Sequence, residues 1–326
     1  MDQDKRPFEI RRSVAVVGST ASGKSALASA IAKAYSGEII SVDSMQIYRG
    51  FDIGTAKPSA AERAAVPHHM IDICAPEEDF SAAEFAAMAL ACAEQISLRG
   101  NLPVFCGGTG LYLDCILRGG APEETGGDAR VRQALSRSLE EMGPAALHAR
   151  LAEVDPVSAA AIHENNVRRV QRALEIFYLT GRPKSEWDRE SLGRPPAVDL
   201  YVIGLAYHHR DLLYARIDRR VDEMLSAGLL DEARRLYVSG ALEKNRTAAG
   251  AIGYKELVPV FSGACTLEEA ARTLKTATRR YAKRQMTWFG AKKYVHPLFC
   301  DTPSGRMRDF EDIFADCRAM LRQNGF

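Results

Sequence analysis

Gly18, Ser19, Thr20, Ala21, Ser22, Gly23, Lys24 and Ser25 carry the spacing G-x-x-x-x-G-K-[ST] of a loop that cradles phosphate oxygens. Such a loop works because successive backbone N–H groups at a helix N-terminus converge on one anion. In that arrangement Lys24 would reach a terminal phosphate and the Ser25 hydroxyl would hold Mg²⁺. The alternative is an ordinary strand-to-helix turn, and the flanks argue against it. Residues 13–17 (SVAVV) read as a buried parallel strand and residues 26–33 as an Ala-rich helix. The chain is therefore expected to bind a di- or triphosphate.

Asp43 ends a second strand-like run, 38–42, and opens a polar segment with Ser44, Met45 and Gln46. In P-loop kinases an acid at a neighbouring strand end assists Mg²⁺ or takes the acceptor's proton, so Asp43 is expected to face the phosphates. A third run, 102–106, ends in Gly107-Gly108-Thr109-Gly110 where an ATPase would carry a metal-binding Asp. The glycines would let the backbone approach a ligand, and the Thr109 hydroxyl suits donation to a bridging oxygen that gains charge as a bond breaks. A plain turn with a helix cap is the simpler alternative. Arg168, Arg169 and Arg172 crowd the start of one helix, and Arg272, Lys275, Arg279, Arg280, Lys283 and Arg284 recur at helical spacing on another. Together they fit a large polyanion, although either alone could be a solvated face. His68-His69 and His208-His209 lack carboxylates at ligand spacing, so no zinc is expected.

Strands alternating with helices imply a parallel sheet that positions these residues at its strand C-termini. Ser81 with Glu84, and Thr266 with Glu269, form capping boxes that open helices running to about Leu98 and towards Phe289. A polar linker bracketed by Gly119-Gly120 and Gly126-Gly127 comes after the third strand, then helical segments in which Val170, Leu174, Phe177 and Tyr178 share a face. A fourth strand at 199–206 returns the chain to the α/β pattern, with amphipathic helices at about 211–227 and 229–239. The fold class is thus α/β, a P-loop NTPase-like parallel sheet (1–117 and 198–326) with an inserted all-helical domain (118–197). Lys plus Arg number 43 against 42 Asp plus Glu, so any nucleic-acid surface is a local patch. Seven scattered cysteines without C-x-x-C spacing argue against a disulfide framework. The charged start, MDQDKR, and the lack of a long apolar run give the expectation of a cytoplasmic protein with no membrane association. To this point a nucleotide or small-molecule kinase and an RNA-binding switch module both remain open.

Several ordered segments narrow the choice. They are 18–25, 43–58 (DSMQIYRGFDIGTAKP), 67–72 (PHHMID), 107–112 (GGTGLY), 172–176 (RALEI) with Thr180-Gly181, 251–256 (AIGYKE) and 278–285 (TRRYAKRQ) leading into Thr287-Trp288-Phe289. Over nearly its whole length the chain resembles the bacterial tRNA dimethylallyltransferases, also called tRNA isopentenyltransferases. The resemblance implies transfer of a dimethylallyl group from dimethylallyl diphosphate to the exocyclic amine of the adenosine 3′ to the anticodon. The phosphate loop then holds a diphosphate leaving group with Mg²⁺, which accounts for the missing Asp after the third strand. Asp43 would be the base, Thr109 the donor to the bridging oxygen, and Lys24 and Arg216 the cations on the leaving group. Contacts to the tRNA anticodon stem-loop are implied for Asp43, Ser44, Met45, Gln46 and Thr109, and for Val167, Arg168, Arg169, Val170 and Gln171. They are likewise implied for Gly250, Ala251, Ile252, Gly253, Tyr254 and Lys255, and for Arg280, Lys283, Arg284 and Thr287. A monomer is the expected form.

Overall fold

The computed structural model describes residues 12–119, 127–193 and 195–326, so the readings placed on the first six residues and on Gly120 and Gly126 lie outside the described residues. By contacts the chain divides into two compact units, Met1–Leu117 with Val198–Phe326, and Arg118–Ala197. Strand β1 (Ser13–Gly18) leads to α1 (Lys24–Ala34), and β2 (Gly37–Val42) to α2 (Ala60–Ala65), β3 (His68–His69) and α3 (Ala82–Leu98). Strand β4 (Leu102–Gly107) leads to α4 (Gly110–Leu117). The second unit holds α5 (Ala129–Val154), α6 (Pro156–Ala161), α7 (Val167–Thr180) and α8 (Lys184–Gly193). The chain then forms β5 (Leu200–Ala206), α9 (Arg210–Ser226), α10 (Leu229–Val238), α11 (Ala241–Lys244), α12 (Arg246–Ala249) and α13 (Val258–Phe261). It closes with α14 (Leu267–Gly290), β6 (Val295–Phe299) and α15 (Phe310–Gln323).

The strands make one sheet in the order β3-β2-β4-β1-β5-β6, every pair parallel. Both faces are covered, so β1 is an unbroken apolar run whose side chains alternate between two cores. Val14 and Val16 meet Leu27 and Ile31 of α1 and Ile313, Cys317 and Leu321 of α15. Ala15 and Val17 join the opposite core with Phe85, Ala89 and Ile96 of α3 and Leu113 of α4. The four strands expected from sequence are present, and both capping boxes are closed by reciprocal hydrogen bonds. Strands β3 and β6 were not expected. The first is two residues long; the second carries Pro297 and an exposed His296, which only an edge position tolerates.

In the second unit, Gly143 (φ 80°) followed by Pro144 kinks α5, because the left-handed glycine and the missing proline N–H break the helical ladder. Leu135, Leu147, Leu151, Val170, Ala173 and Leu174 form its core. Tyr178, expected on the buried face of α7, is 46% exposed and accepts a hydrogen bond from Arg150; Ala173 occupies the core instead. Buried Glu175 accepts from Arg132 (2.9 Å), Arg172 (2.7 Å) and the Asp128 N–H (3.2 Å). The unit's two ends lie against each other, since a Cβ on Gly119 would sit 3.2 Å from that of Ala197.

Candidate active site

Strand order builds the site. In a parallel sheet all strand C-termini share one edge, and β2, β4, β1 and β5 are consecutive neighbours there. Their C-terminal ends lead, in turn, into Asp43, Gly108-Thr109, the phosphate loop, and α9 with its arginines. Residues far apart in sequence are thereby brought to one place.

The loop's conformation is held by donors to its carbonyls. Lys24 Nζ donates to Ser19 O (2.6 Å), Arg216 Nε to Ala21 O (2.9 Å) and the Tyr207 hydroxyl to Ser22 O (3.3 Å). Gly18 has φ +142° and a Cβ there would lie 2.9 Å from Leu205 O, so β5 admits only glycine. With carbonyls engaged in this way, the first N–H groups of α1 remain for an anion. A cavity of about 200 Å³ opens at that point, lined by Ala21, Gly23, Lys24, Ser25, Ala26, Arg216, Arg219, Arg220 and Glu223. Four basic groups line it against a single acid, Glu223, which pairs with Arg219 at 3.5 Å. Burial pushes the Lys24 ammonium down to about 8, with Arg220 pushing the same way and Asp43 opposing. The Arg220 guanidinium is lowered by burial and supported by Asp43. Arg219 and Arg220 were missed in the sequence; the signal was their spacing of three and four from Arg216 on one helix.

Asp43 Oδ1 accepts from the N–H groups of Met45 (2.8 Å) and Gln46 (3.3 Å), which fixes the turn and aims the carboxyl group. Thr109 Oγ1 accepts from the Ser44 N–H at 3.1 Å, which leaves its own proton to be shared between the neighbouring Tyr281 hydroxyl and a ligand. The Gln46 amide is occupied within its own loop: its Oε1 accepts from Ser41 and its Nε2 donates to Thr55 O and Ala56 O. The glycines after β4 serve contacts inside the protein rather than room for a ligand. A Cβ would lie 2.0 Å from Val42 O at Gly107, 2.2 Å from Gln285 Nε2 at Gly108 and 2.3 Å from the Trp288 ring at Gly110.

The residues expected to meet tRNA divide by burial. Arg168, Arg169, Gly250, Lys255, Arg280, Lys283, Arg284 and Thr287 are exposed, and Val167, Gln171 and Ile252 are half-buried. Val170, Ala251 and Tyr254 are buried, because they pack their own cores, so their side chains do not present themselves to a polyanion, and Gly253 is buried beside them. The basic faces are also smaller than the sequence implied. Arg279 pairs with Asp218 (2.6 Å) and Lys275 with Asp222 (2.7 Å), tying α14 to α9, while Arg172 pairs with Glu175. The segment around 251–256 is scaffolding for the loop after Asp43. Glu232 of α10, unnoticed in the sequence, accepts from the N–H groups of Ile53 and Gly54 and from the Tyr254 hydroxyl (2.7 Å). Lys57, also buried, holds Asp52, Asp72 and Tyr48 O. The histidine pairs have ordinary partners: His69 meets Glu38 at 2.6 Å, and His209 meets Pro303 O.

A phosphate loop, a carboxylate at the next strand end but one, a hydroxyl between them and a cationic wall define a P-loop α/β group-transfer site without an ATPase metal acid. Models of two families match the chain, IPP transferase over residues 46–292 and Isopentenyl transferase over 12–72. The chain belongs to the IPP transferase family. It is 46% identical over 316 residues to a tRNA dimethylallyltransferase of Bacillus pumilus, covering 97% of this chain and 96% of the relative. Among solved structures it is similar to the full-length tRNA isopentenylpyrophosphate transferase of Bacillus halodurans (43% identity, TM-score 0.69, 96% of both chains). It is also similar to a eukaryotic dimethylallyltransferase acting on tRNA (30% identity, TM-score 0.80, 96% of this chain and 79% of the other).

Proposed function

We propose that the chain transfers the dimethylallyl group of dimethylallyl diphosphate to the exocyclic N6 of the adenosine 3′ to the anticodon in tRNA. Adenine N6 bonds to the allylic C1, the C1–O bond breaks, and diphosphate leaves. The amine's lone pair is delocalised into the ring, so its proton must be removed as the bond forms. Asp43 takes that proton; its position beside Thr109, with one oxygen committed to the turn, supports the role. Thr109 donates to the bridging oxygen, and Lys24, Arg216, Arg220 and the loop amides receive the charge that develops on diphosphate. An adenine stacked in the anticodon loop is out of reach, so the base is flipped into the site.

The observation that carries this reading is the adjacency of β2, β4 and β1, whose ends lead into Asp43, Thr109 and the phosphate loop at one sheet edge. Mg²⁺ fits the donors available. It prefers hard oxygens, keeps several waters and is usually shared with substrate phosphates, so the exposed Ser25 hydroxyl suffices as a protein ligand. Among the described residues no cluster of three or more His, Cys, Asp or Glu could hold a metal alone, and a shared site needs none. When bound, the ion would neutralise diphosphate charge. No helix among the described residues is long and apolar enough to cross a membrane, and a tRNA acceptor is met in the cytoplasm. The test is incubation with labelled dimethylallyl diphosphate and either unmodified tRNA or AMP. Label on adenosine from tRNA alone is the expected result; label on AMP, or on neither, would reject the acceptor or the reaction. Asp43→Ala should cut turnover by about 10²–10⁴ while leaving tRNA affinity nearly intact.

A further inference from the structure

Gln285 lies on α14 and is 6% exposed, and its amide reaches away from its own helix to two other elements. Its Oε1 accepts from the Thr20 N–H of the phosphate loop at 2.8 Å, and its Nε2 donates to Gly108 O at 2.9 Å. The two contacts require opposite polarity, so the orientation of the amide is fixed by its partners. Asparagine offers the same two groups but falls one methylene short of this reach. Glycine at 108 makes the contact available, because a Cβ there would lie 2.2 Å from Nε2. One helical turn earlier, the Tyr281 hydroxyl lies beside Thr109 and Gln285. Thr109 in turn accepts from Ser44, next to Asp43.

We infer that Gln285 is a positioning residue for the transfer, a strut that fixes the distance between the loop holding the diphosphate and the strand end carrying Thr109 and, through Ser44, Asp43. The inference rests on the proposed activity and deepens it. Transfer requires leaving group, hydroxyl and base to be registered together, and a displacement on the order of 1 Å can cost about 10²-fold. Gln285 does this from outside the substrate contacts, and it does so for both strand ends through one side chain.

Two substitutions disturb the strut in different ways. Gln285→Glu keeps the acceptor for Thr20 but sets a carboxylate oxygen against Gly108 O. Gln285→Ala releases both ends. With saturating tRNA and dimethylallyl diphosphate, Q285E should lower the single-turnover rate about 10²-fold, and its carboxylate, set against the phosphate loop, should also weaken binding of inorganic diphosphate. Q285A should lose a similar rate and also bind inorganic diphosphate about tenfold more weakly. Both should keep tRNA affinity within about twofold, which separates positioning from a tRNA contact. Gly108→Ala pushes on the same amide, so its rate loss should largely vanish in the Q285A background. An unchanged rate in Q285E, losses that multiply between G108A and Q285A, or an effect confined to tRNA affinity would each overturn the inference. Failure of the activity itself shows separately, as no transfer by the unsubstituted protein. In that case the diphosphate affinity of Q285A still decides, and a value equal to that of the unsubstituted protein sinks the strut.

Discussion

Lys24 shows how a residue legible from sequence acquires behaviour that only the fold supplies. The motif announces that it will meet phosphate, but its titration comes from burial, which lowers it from 10.5 to about 8, with Arg220 adding repulsion. The charged form binds the anion, and a bound anion raises the group's affinity for its proton. Measured against Lys24→Met, which carries diphosphate's own proton losses, the Lys24 contribution to affinity should therefore be flat below about pH 8. Above it, that contribution should fall by close to tenfold per pH unit until the pKa of the bound state is reached. Calorimetric titration with inorganic diphosphate from pH 7 to 10 measures this limb, and Lys24→Met should bind weakly and lack it. A limb that persists in Lys24→Met would assign it to another group. Asp43 and the loop could be read because their chemistry is local in sequence. Gln285 could not, since its partners at Thr20 and Gly108 lie 265 and 177 residues away. Arg220 stood in between, visible only as an i+4 echo of Arg216.

Among the elements, short motifs often turn out to be joints between pieces of scaffold. The segment 51–57 is fastened to α10 by Glu232, whose carboxylate accepts from Ile53, Gly54 and Tyr254 while 2% exposed. Tyr254 fits there because Gly54 leaves space; a Cβ at Gly54 would lie 2.6 Å from its ring. The same loop accepts both hydrogens of the Gln46 amide, so the turn that aims Asp43 is braced from α10. Glu232→Ala strands three donors in a dry interior and should cost about 3–5 kcal/mol by chemical denaturation. Glu232→Gln, which still accepts, should cost less than half of that. Equal losses would mean that the side chain's volume, rather than its hydrogen bonds, supports the loop. Sequence patterning located α9, α10 and α14 well because their apolar periodicity is strong. It did not divide the basic face of α14, since the acids that take up Lys275 and Arg279 lie on α9. Strand β6 was illegible for a related reason: at a sheet edge, proline and exposed histidine carry no penalty.

For the whole molecule, charge sets the argument. A formal net charge of +1 supplies no general attraction to RNA, so affinity for a polyanion has to come from cations that the fold leaves unspent. In the helical unit those include Arg168 and Arg169, exposed side by side at the start of α7, whereas Arg172 and Arg132 already serve the buried Glu175. The i,i+3 spacing of Arg172 and Glu175 hints at this distinction in sequence, but only the fold shows Glu175 buried and holding Arg172 and Arg132 together. Reversing Arg168 and Arg169 to Glu should weaken tRNA binding by about tenfold or more at low salt and reduce the slope of log K against log salt by about 1.5–2. Inorganic diphosphate binding by the other unit should stay unchanged. Reversing Arg172 should instead lower thermal stability, because a second carboxylate would then face the buried Glu175. Filter binding across a salt series, with thermal melts of both variants, separates the two outcomes. If tRNA affinity and its salt dependence survive the loss of Arg168 and Arg169, the acceptor does not engage this face, and the exposed cations of α14 must carry the attraction by themselves.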